Sequence, residues 1–353
     1  MAELAAHAPL VVDPLMAADQ AAAMVRLCED FAAGYGLYVV EKSQTSFAPE
    51  LAQRYDAARN FVVSGGRFGR THEPPRTLAL RTNYLRESYA YGERLVAPGI
   101  EPFLHSEALV GSARRLFGRP VIEPAIAYAN LLLPGQELAV HTDVPEFRGA
   151  NRTLIPQWLL VVMHHSGLFD EWRMPIATGI AYFSPDGQAA AGGELAYYPD
   201  GADGPPRTFA ALHNSAIVLD TDSVFHGVDR VGQPGAEPPE LVAGNTLRFD
   251  RPSGQWQLHA DGDAGSAVAD RFAWSDVRFS VSWKAYCFVD DAEREAWRRH
   301  TDDLSLASIL ETLVDDLAAR QVIESGSRPD DPDLARLLID TYEHFPRPVP
   351  ISS

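Results

Sequence analysis

The chain has 353 residues, enough for one large domain or two modest ones, and 46% of them are hydrophobic, as in a globular protein with a substantial core. Its 30 basic residues against 48 acidic ones give a net charge of −18, which opposes non-specific attraction to nucleic acid or to anionic membranes. Cys28 and Cys287 are too few and too far apart to make a disulfide framework, and they suit a reducing cytoplasm. The start, "MAELAAHAPLVVDPL", lacks a basic stretch followed by a long apolar core, so no secretory leader is expected. No apolar run is long enough to predict a membrane span.

Residues 16–34 carry apolar side chains at helical spacing and close on Gly34, which predicts a helix. "LYVVEK" then predicts a strand, 50–64 a second helix, and "GGRFGRTHEPPRT" a polar loop. Helices are expected within 86–118, including "SEALVGSARRLFG". The pattern changes near residue 121. Short apolar or alternating runs now recur between Gly, Pro, Asp and Asn clusters, among them "ELAVHTD", "TLIPQWLLVVMHH", "GELAYYP", "SAIVLDT" and "FHGVDRV". Many short strands separated by turns predict an antiparallel sandwich or barrel. Helical spacing returns over 290–325, and the Pro-rich end reads as a surface tail.

This gives three parts: a mostly helical 1–120 packing on the core, a β-core over 121–289, and a helical extension with a tail over 290–353. Within the core, 233–275 reads as an insertion. It is rich in Gly, Pro and Asp and carries Trp256, which predicts a mobile flap at a site mouth. His164 and His165 are read as strand neighbours on opposite faces.

His141 and Asp143 stand two apart behind an apolar run, so on a strand they share a face. A His-x-Asp pair alone is a weak signal. His226, in a later strand-like segment, adds a second imidazole that a sandwich can bring opposite the first. Two histidines and one carboxylate suit non-haem Fe(II), because three coordination positions stay open. A closed zinc site wants four ligands, often cysteines, and neither cysteine lies near these motifs.

In order along the chain, "YANLLLPGQELAVHTD", "GGELAYYP", "SAIVLDTDSVFHGVDRV" and "RFSVSWKAYCF" resemble the Fe(II)/2-oxoglutarate-dependent dioxygenases. The resemblance covers roughly 121–289. It implies a mainly β fold with flanking helices, built on a double-stranded β-helix (jelly-roll) core. It implies Fe(II) on His141, Asp143 and His226, with 2-oxoglutarate as cosubstrate and O₂ as oxidant. Arg278 and Ser280 match the pair that holds the far carboxylate of 2-oxoglutarate. The stretch from His226 to Arg278 is longer than in much of the family, which leaves Arg230 and Arg248 as competitors. Arg278 alone has a serine two residues on, placing both on one strand face.

The implied reaction is hydroxylation, or a related oxidation such as desaturation, of a small organic molecule of amino-acid or natural-product type. Asp143 fills the position that halogenating relatives leave open for chloride. A cupin-like isomerase or metal-binding sensor would keep the three ligands without needing the Arg-Ser pair. A non-catalytic β-sandwich module would need none of them. Arg81, Asn83, Arg148 and Arg173 are further candidates for substrate contact.

Overall fold

The computed structural model describes residues 7–38, 74–185, 190–260, 267–344 and 346. Its strands are β1 (Leu10–Val12), β2 (Tyr35–Gly36), β3 (Leu85–Tyr91), β4 (Arg94–Leu95), β5 (Val121–Leu132), β6 (Leu138–His141), β7 (Ile176–Tyr182), β8 (Leu195–Tyr198), β9 (Arg207–Phe209), β10 (Ser215–Leu219), β11 (Phe225–Val228), β12 (Thr246–Asp250), β13 (Gln255–His259), β14 (Val268–Phe272) and β15 (Arg278–Phe288). A seven-stranded sheet runs β1-β10-β7-β15-β5-β3-β4, and a four-stranded sheet runs β6-β11-β8-β9. Every pairing in them is antiparallel. The chain moves back and forth between the two sheets as it advances, which is the jelly-roll topology expected from the sequence. Ile180, Tyr182, Ile217 and Leu219 of the large sheet meet Leu195 of the small one in a shared apolar cluster.

Alternation along β15 sorts its side chains. Phe279, Val281, Trp283, Ala285 and Cys287 are fully or nearly fully buried in the main core on the outer face of the large sheet. Arg278, Ser280, Ser282 and Lys284 take the opposite face, toward the small sheet. The helix Glu107–Phe117 covers the outer face with Leu109, Val110, Ala113 and Leu116, a spacing that forms one apolar stripe. Burying a leucine of this kind contributes about 1.5–3 kcal/mol. Trp283 also donates its indole N–H to the Leu104 carbonyl at 2.7 Å, so its polar edge is satisfied inside the core.

Several sequence expectations need correcting. The helices expected within 86–118 are Glu101–Leu104 and Glu107–Phe117, and the stretch at its start, Leu85–Tyr91, is strand β3, which pairs with β5. "QWLLVVMHHS" is the helix Gln157–Ser166, bounded by Pro156 and by Gly167 in the left-handed conformation. A ten-residue apolar run fits a buried helix as well as a buried strand. This helix packs on Leu306–Ala319 and Asp331–Tyr342 through a second cluster that includes Leu160, Met163, Leu313, Leu317 and Leu338. The chain's end is therefore partly structural rather than only a tail.

The insertion is not a flap in its described part. Strands β14-β13-β12-β2 make a third sheet, and Trp256 is fully buried. Its ring lies 5.9 Å from Tyr35, 5.3 Å from Phe249 and 5.2 Å from Trp274. The strand expected from "LYVVEK" is described only to residue 38, and the helix expected at 50–64 lies outside the described residues. Among the described residues, no helix is long and apolar enough to cross a membrane.

Candidate metal centre

His141 ends β6, and His226 stands directly opposite it in β11. The antiparallel register therefore sends both rings to the same face, with centroids 4.4 Å apart. His141 Nδ1 lies 2.7 Å from the Ala139 carbonyl, and His226 Nδ1 lies 2.9 Å from the Val224 carbonyl. A carbonyl only accepts, so each Nδ1 carries the proton and each Nε2 keeps the lone pair a metal needs. Asp143 follows two residues after His141, its backbone N–H held by the Thr221 carbonyl at 2.8 Å. Its Oδ1 is 3.7 Å from His141 Nε2. One donor atom from each of His141, Asp143 and His226 lies within 4.8 Å of the others, so the three can hold one ion.

Asp143 Oδ2 faces away from the imidazoles and accepts from Lys284 Nζ at 2.8 Å. Burial opposes ionisation of Asp143, but the Lys284 ammonium works against it, and the carboxyl is held well below its ordinary range. Burial likewise opposes the Lys284 ammonium, and Asp143 more than restores it. The result is an ionised carboxylate with one oxygen pinned and the other directed at the imidazoles. Two neutral nitrogens and one carboxylate oxygen make a donor set that fits Fe(II).

The same cavity encloses about 570 Å³, part of it open to solvent, and runs from His141, Asp143 and His226 to Arg278 and Ser280. Arg278 is only 3% exposed. It donates from Nε to the Gly193 carbonyl (2.6 Å), from Nη1 to Ser280 Oγ (3.2 Å) and from Nη2 to Tyr182 Oη (3.0 Å). All three acceptors are neutral. Burial lowers the pKa of Arg278 against the opposing pull of Tyr182 and Asp229, and among the described residues no carboxylate lies in ion-pair contact with it.

Gly192 and Gly193 make this seat possible. Both have positive φ, and a Cβ on Gly193 would lie 2.8 Å from Arg278 Cδ.

The competing arginines are engaged elsewhere. Arg230 donates from Nε and Nη2 to Glu137 Oε2 at 3.0 and 2.9 Å, and Arg248 donates to the Ala32 carbonyl. Neither lines the metal cavity. Arg81 bonds to the Gly135 carbonyl, Arg148 to Asp302, and Arg173 to Asp220. With Asn83, they lie outside the lining of both described cavities. His164 is buried in its helix, 3.2 Å from Ser223 Oγ. Sequence reasoning missed Lys284, although its even-numbered place in "RFSVSWK" puts it on the face of Arg278 and Ser280.

These elements define a jelly-roll protein in which two histidines and one carboxylate, able to hold one metal ion, share a cavity with a buried arginine. No protein-family model matches the chain, and no curated protein matches it. It is similar to solved structures of Fe(II)/2-oxoglutarate oxygenases. One is an oxidoreductase of the 2OG-Fe(II) oxygenase family from Burkholderia pseudomallei, 13% identical, with 58% of this chain covering 66% of that one at a TM-score of 0.33. A Pseudomonas putida prolyl-4-hydroxylase is 13% identical, with 81% of this chain covering 95% of that one at a TM-score of 0.40. HygX from Streptomyces hygroscopicus, solved with nickel, 2-oxoglutarate and hygromycin B, is 11% identical, with 80% of this chain covering 83% of that one at a TM-score of 0.36.

Proposed function

We propose that the chain is an Fe(II)- and 2-oxoglutarate-dependent oxygenase that hydroxylates a small organic molecule or oxidises it in a related way, such as desaturation. The observation that carries this reading is Arg278, a buried guanidinium without a contacting carboxylate, in the same cavity as a three-ligand metal site. His141 and His226 would hold the metal through Nε2, and Asp143 through Oδ1. Arg278, with Ser280, would take the far carboxylate of 2-oxoglutarate through paired charge-assisted bonds. Fe(II) with this cosubstrate supplies the oxidising power for O₂-dependent attack on a C–H bond.

The protein's own part is positioning. Lys284 holds Asp143 Oδ2 so that Oδ1 keeps its direction. The Ala139 and Val224 carbonyls hold the imidazoles in one tautomer. The apolar cluster where the two sheets meet keeps bulk water from the inner face. Two free, buried thiols, Cys28 and Cys287, support a cytoplasmic location.

The test is formation of succinate from 2-oxoglutarate, with Fe(II) and O₂ each omitted in turn. The wild-type chain should make succinate only with both. His141→Ala and His226→Ala should lose bound iron and succinate together. Iron bound in stoichiometric amount with 2-oxoglutarate left unconsumed would end this reading in favour of an isomerase-like metal protein.

A further inference from the structure

A second cleft, enclosing about 710 Å³ and partly open to solvent, adjoins the metal cavity. The two share Arg86, Tyr128 and Asp143 as lining, so one molecule in the second cleft can reach the metal centre. Its walls are largely apolar or aromatic, with Ile126 and Ile176 beside Tyr38, Tyr128 and Tyr286. Two of its charged groups are already engaged. Lys284 holds Asp143 at 2.8 Å, and Glu146 accepts from the Tyr286 hydroxyl at 2.8 Å.

Arg86 differs from these. Its Cζ lies 3.5 Å from the centre of the Tyr128 ring and 4.8 Å from that of Tyr38. Among the described residues the groups acting on it are the tyrosines 38, 84 and 128, with no carboxylate among them. Stacking covers the faces of the guanidinium, one hydrogen bond goes to Tyr84, and the remaining N–H groups of its five can serve a planar anion. In a chain of net charge −18, an arginine without a carboxylate partner beside the metal centre stands out as chemistry rather than solvation.

We propose that the substrate carries a carboxylate, read by Arg86, on an apolar or aromatic body that fills this cleft. The proposal rests on the oxygenase reading for calling that molecule the substrate. A guanidinium pairs with one planar carboxylate through two parallel charge-assisted bonds, and Arg152 is a further cation on the wall of the same cleft, whereas Lys284 is committed to Asp143. Arg278 lines the metal cavity alone, whereas Arg86 lines both the metal cavity and the second cleft.

The experiment uses the full chain loaded with Mn(II) and 2-oxoglutarate. Its probes are aryl- and alkylcarboxylic acids, each paired with its primary amide, titrated by ligand-observed NMR. Acids should bind at least ~10-fold more tightly than their amides, about 1.4 kcal/mol. Mn(II) should broaden their signals, placing them beside the metal. Arg86→Met should abolish the preference and Arg86→Lys should keep part of it, both with unchanged Mn(II) and 2-oxoglutarate affinity. If the methionine variant does not fold, Arg86→Gln takes its place. Equal binding of acids and amides, or a preference that survives loss of the guanidinium, overturns the proposal. So does weakened 2-oxoglutarate binding in Arg86→Met, since Arg86 would then serve the cosubstrate. If the wild-type chain binds neither Mn(II) nor 2-oxoglutarate while an Arg86-dependent acid preference remains, the oxygenase reading fails and the carboxylate site stands.

Discussion

Replacing Gly193 by alanine tests how Arg278, the proposed cosubstrate arginine, is held. Gly193 has φ +68, and its Cβ would lie 2.8 Å from Arg278 Cδ and 3.1 Å from Val231 Cγ2. The left-handed backbone alone costs an alanine about 1–2 kcal/mol. Crowding two packed side chains adds roughly 1–3 kcal/mol, less whatever Arg278 recovers by moving. Arg278 is the neighbour that must move, and its Nε bond to the Gly193 carbonyl, at 2.6 Å, moves with it. A displaced guanidinium loses some of its charge-assisted pairing with a carboxylate, worth about 1.5–3 kcal/mol. The concentration of 2-oxoglutarate needed for half-maximal succinate formation should therefore rise roughly ten- to hundredfold, at about 1.4 kcal/mol per decade. Gly201→Ala is the control, because φ is +81 there and nothing lies within 4 Å of the added Cβ. It should lose about 1–2 kcal/mol of stability in urea denaturation with no change in 2-oxoglutarate dependence. If Gly193→Ala leaves that dependence unchanged while it destabilises the fold, Arg278 is not seated by this contact and the reasoning fails.

Arg278→Ala should weaken 2-oxoglutarate binding by several kcal/mol, roughly the cost of leaving a desolvated carboxylate without its cation. Arg278→Lys should recover part of that and Ser280→Ala should cost on the order of 1 kcal/mol, whereas Arg248→Ala should leave 2-oxoglutarate dependence unchanged. Lys284→Met should lower metal affinity roughly 10- to 100-fold, read by competition with a chelator, because Asp143 Oδ2 loses its 2.8 Å partner. Unaltered metal retention would mean that Lys284 does not orient the carboxylate. Asp222 is fully buried, and burial pushes its carboxyl up to about 8 despite Lys284 and Arg173. The folded chain therefore keeps a proton that the unfolded chain releases near pH ~3.9. That contribution to stability is complete below this pH and is lost as pH rises through about 8. Asp222→Asn should flatten the decline in urea midpoint between pH 5 and pH 9, and an identical decline in both proteins would count against it.

The parts of the molecule governed by a two-residue period were legible in the sequence. His141 and Asp143 share a face because they are two apart, and Arg278 and Ser280 do so for the same reason. The short runs and turns predict an antiparallel sandwich or barrel, and the family resemblance implies the jelly-roll topology. What failed was wherever one pattern admits two structures. "QWLLVVMHHS" is apolar throughout, so neither period shows, and only its packing on Leu313, Leu317 and Leu338 settles it as a helix. "LRESYAY" has polar residues on both faces because β3 carries Arg86 inward to a cleft, and this hides the strand's alternation. The insertion reads as a flap from its Gly and Pro content, yet Trp256 finds Tyr35, a residue more than two hundred positions away. Arg86 itself left no local signal, since its significance lies in two tyrosines from other segments.

Strand β15 works as a ruler. Arg278 lies at one end of its inner face and Lys284 and Tyr286 toward the other, roughly 20 and 26 Å along the strand at the ordinary rise of ~3.3 Å per residue. Pairing with β5 on one side and β7 on the other fixes the scale, so its marks cannot slide independently. A single-residue insertion near the middle would turn every later inner side chain outward and leave the earlier ones in place. Substitutions at Tyr286, in contrast, would alter the wall of the second cleft without shifting Arg278. On the proposed reading, the strand carries the cosubstrate arginine and part of the substrate cleft at separate positions on one rigid part, and changes of substrate preference should accumulate by substitution at the Tyr286 end, with no gain or loss of residues.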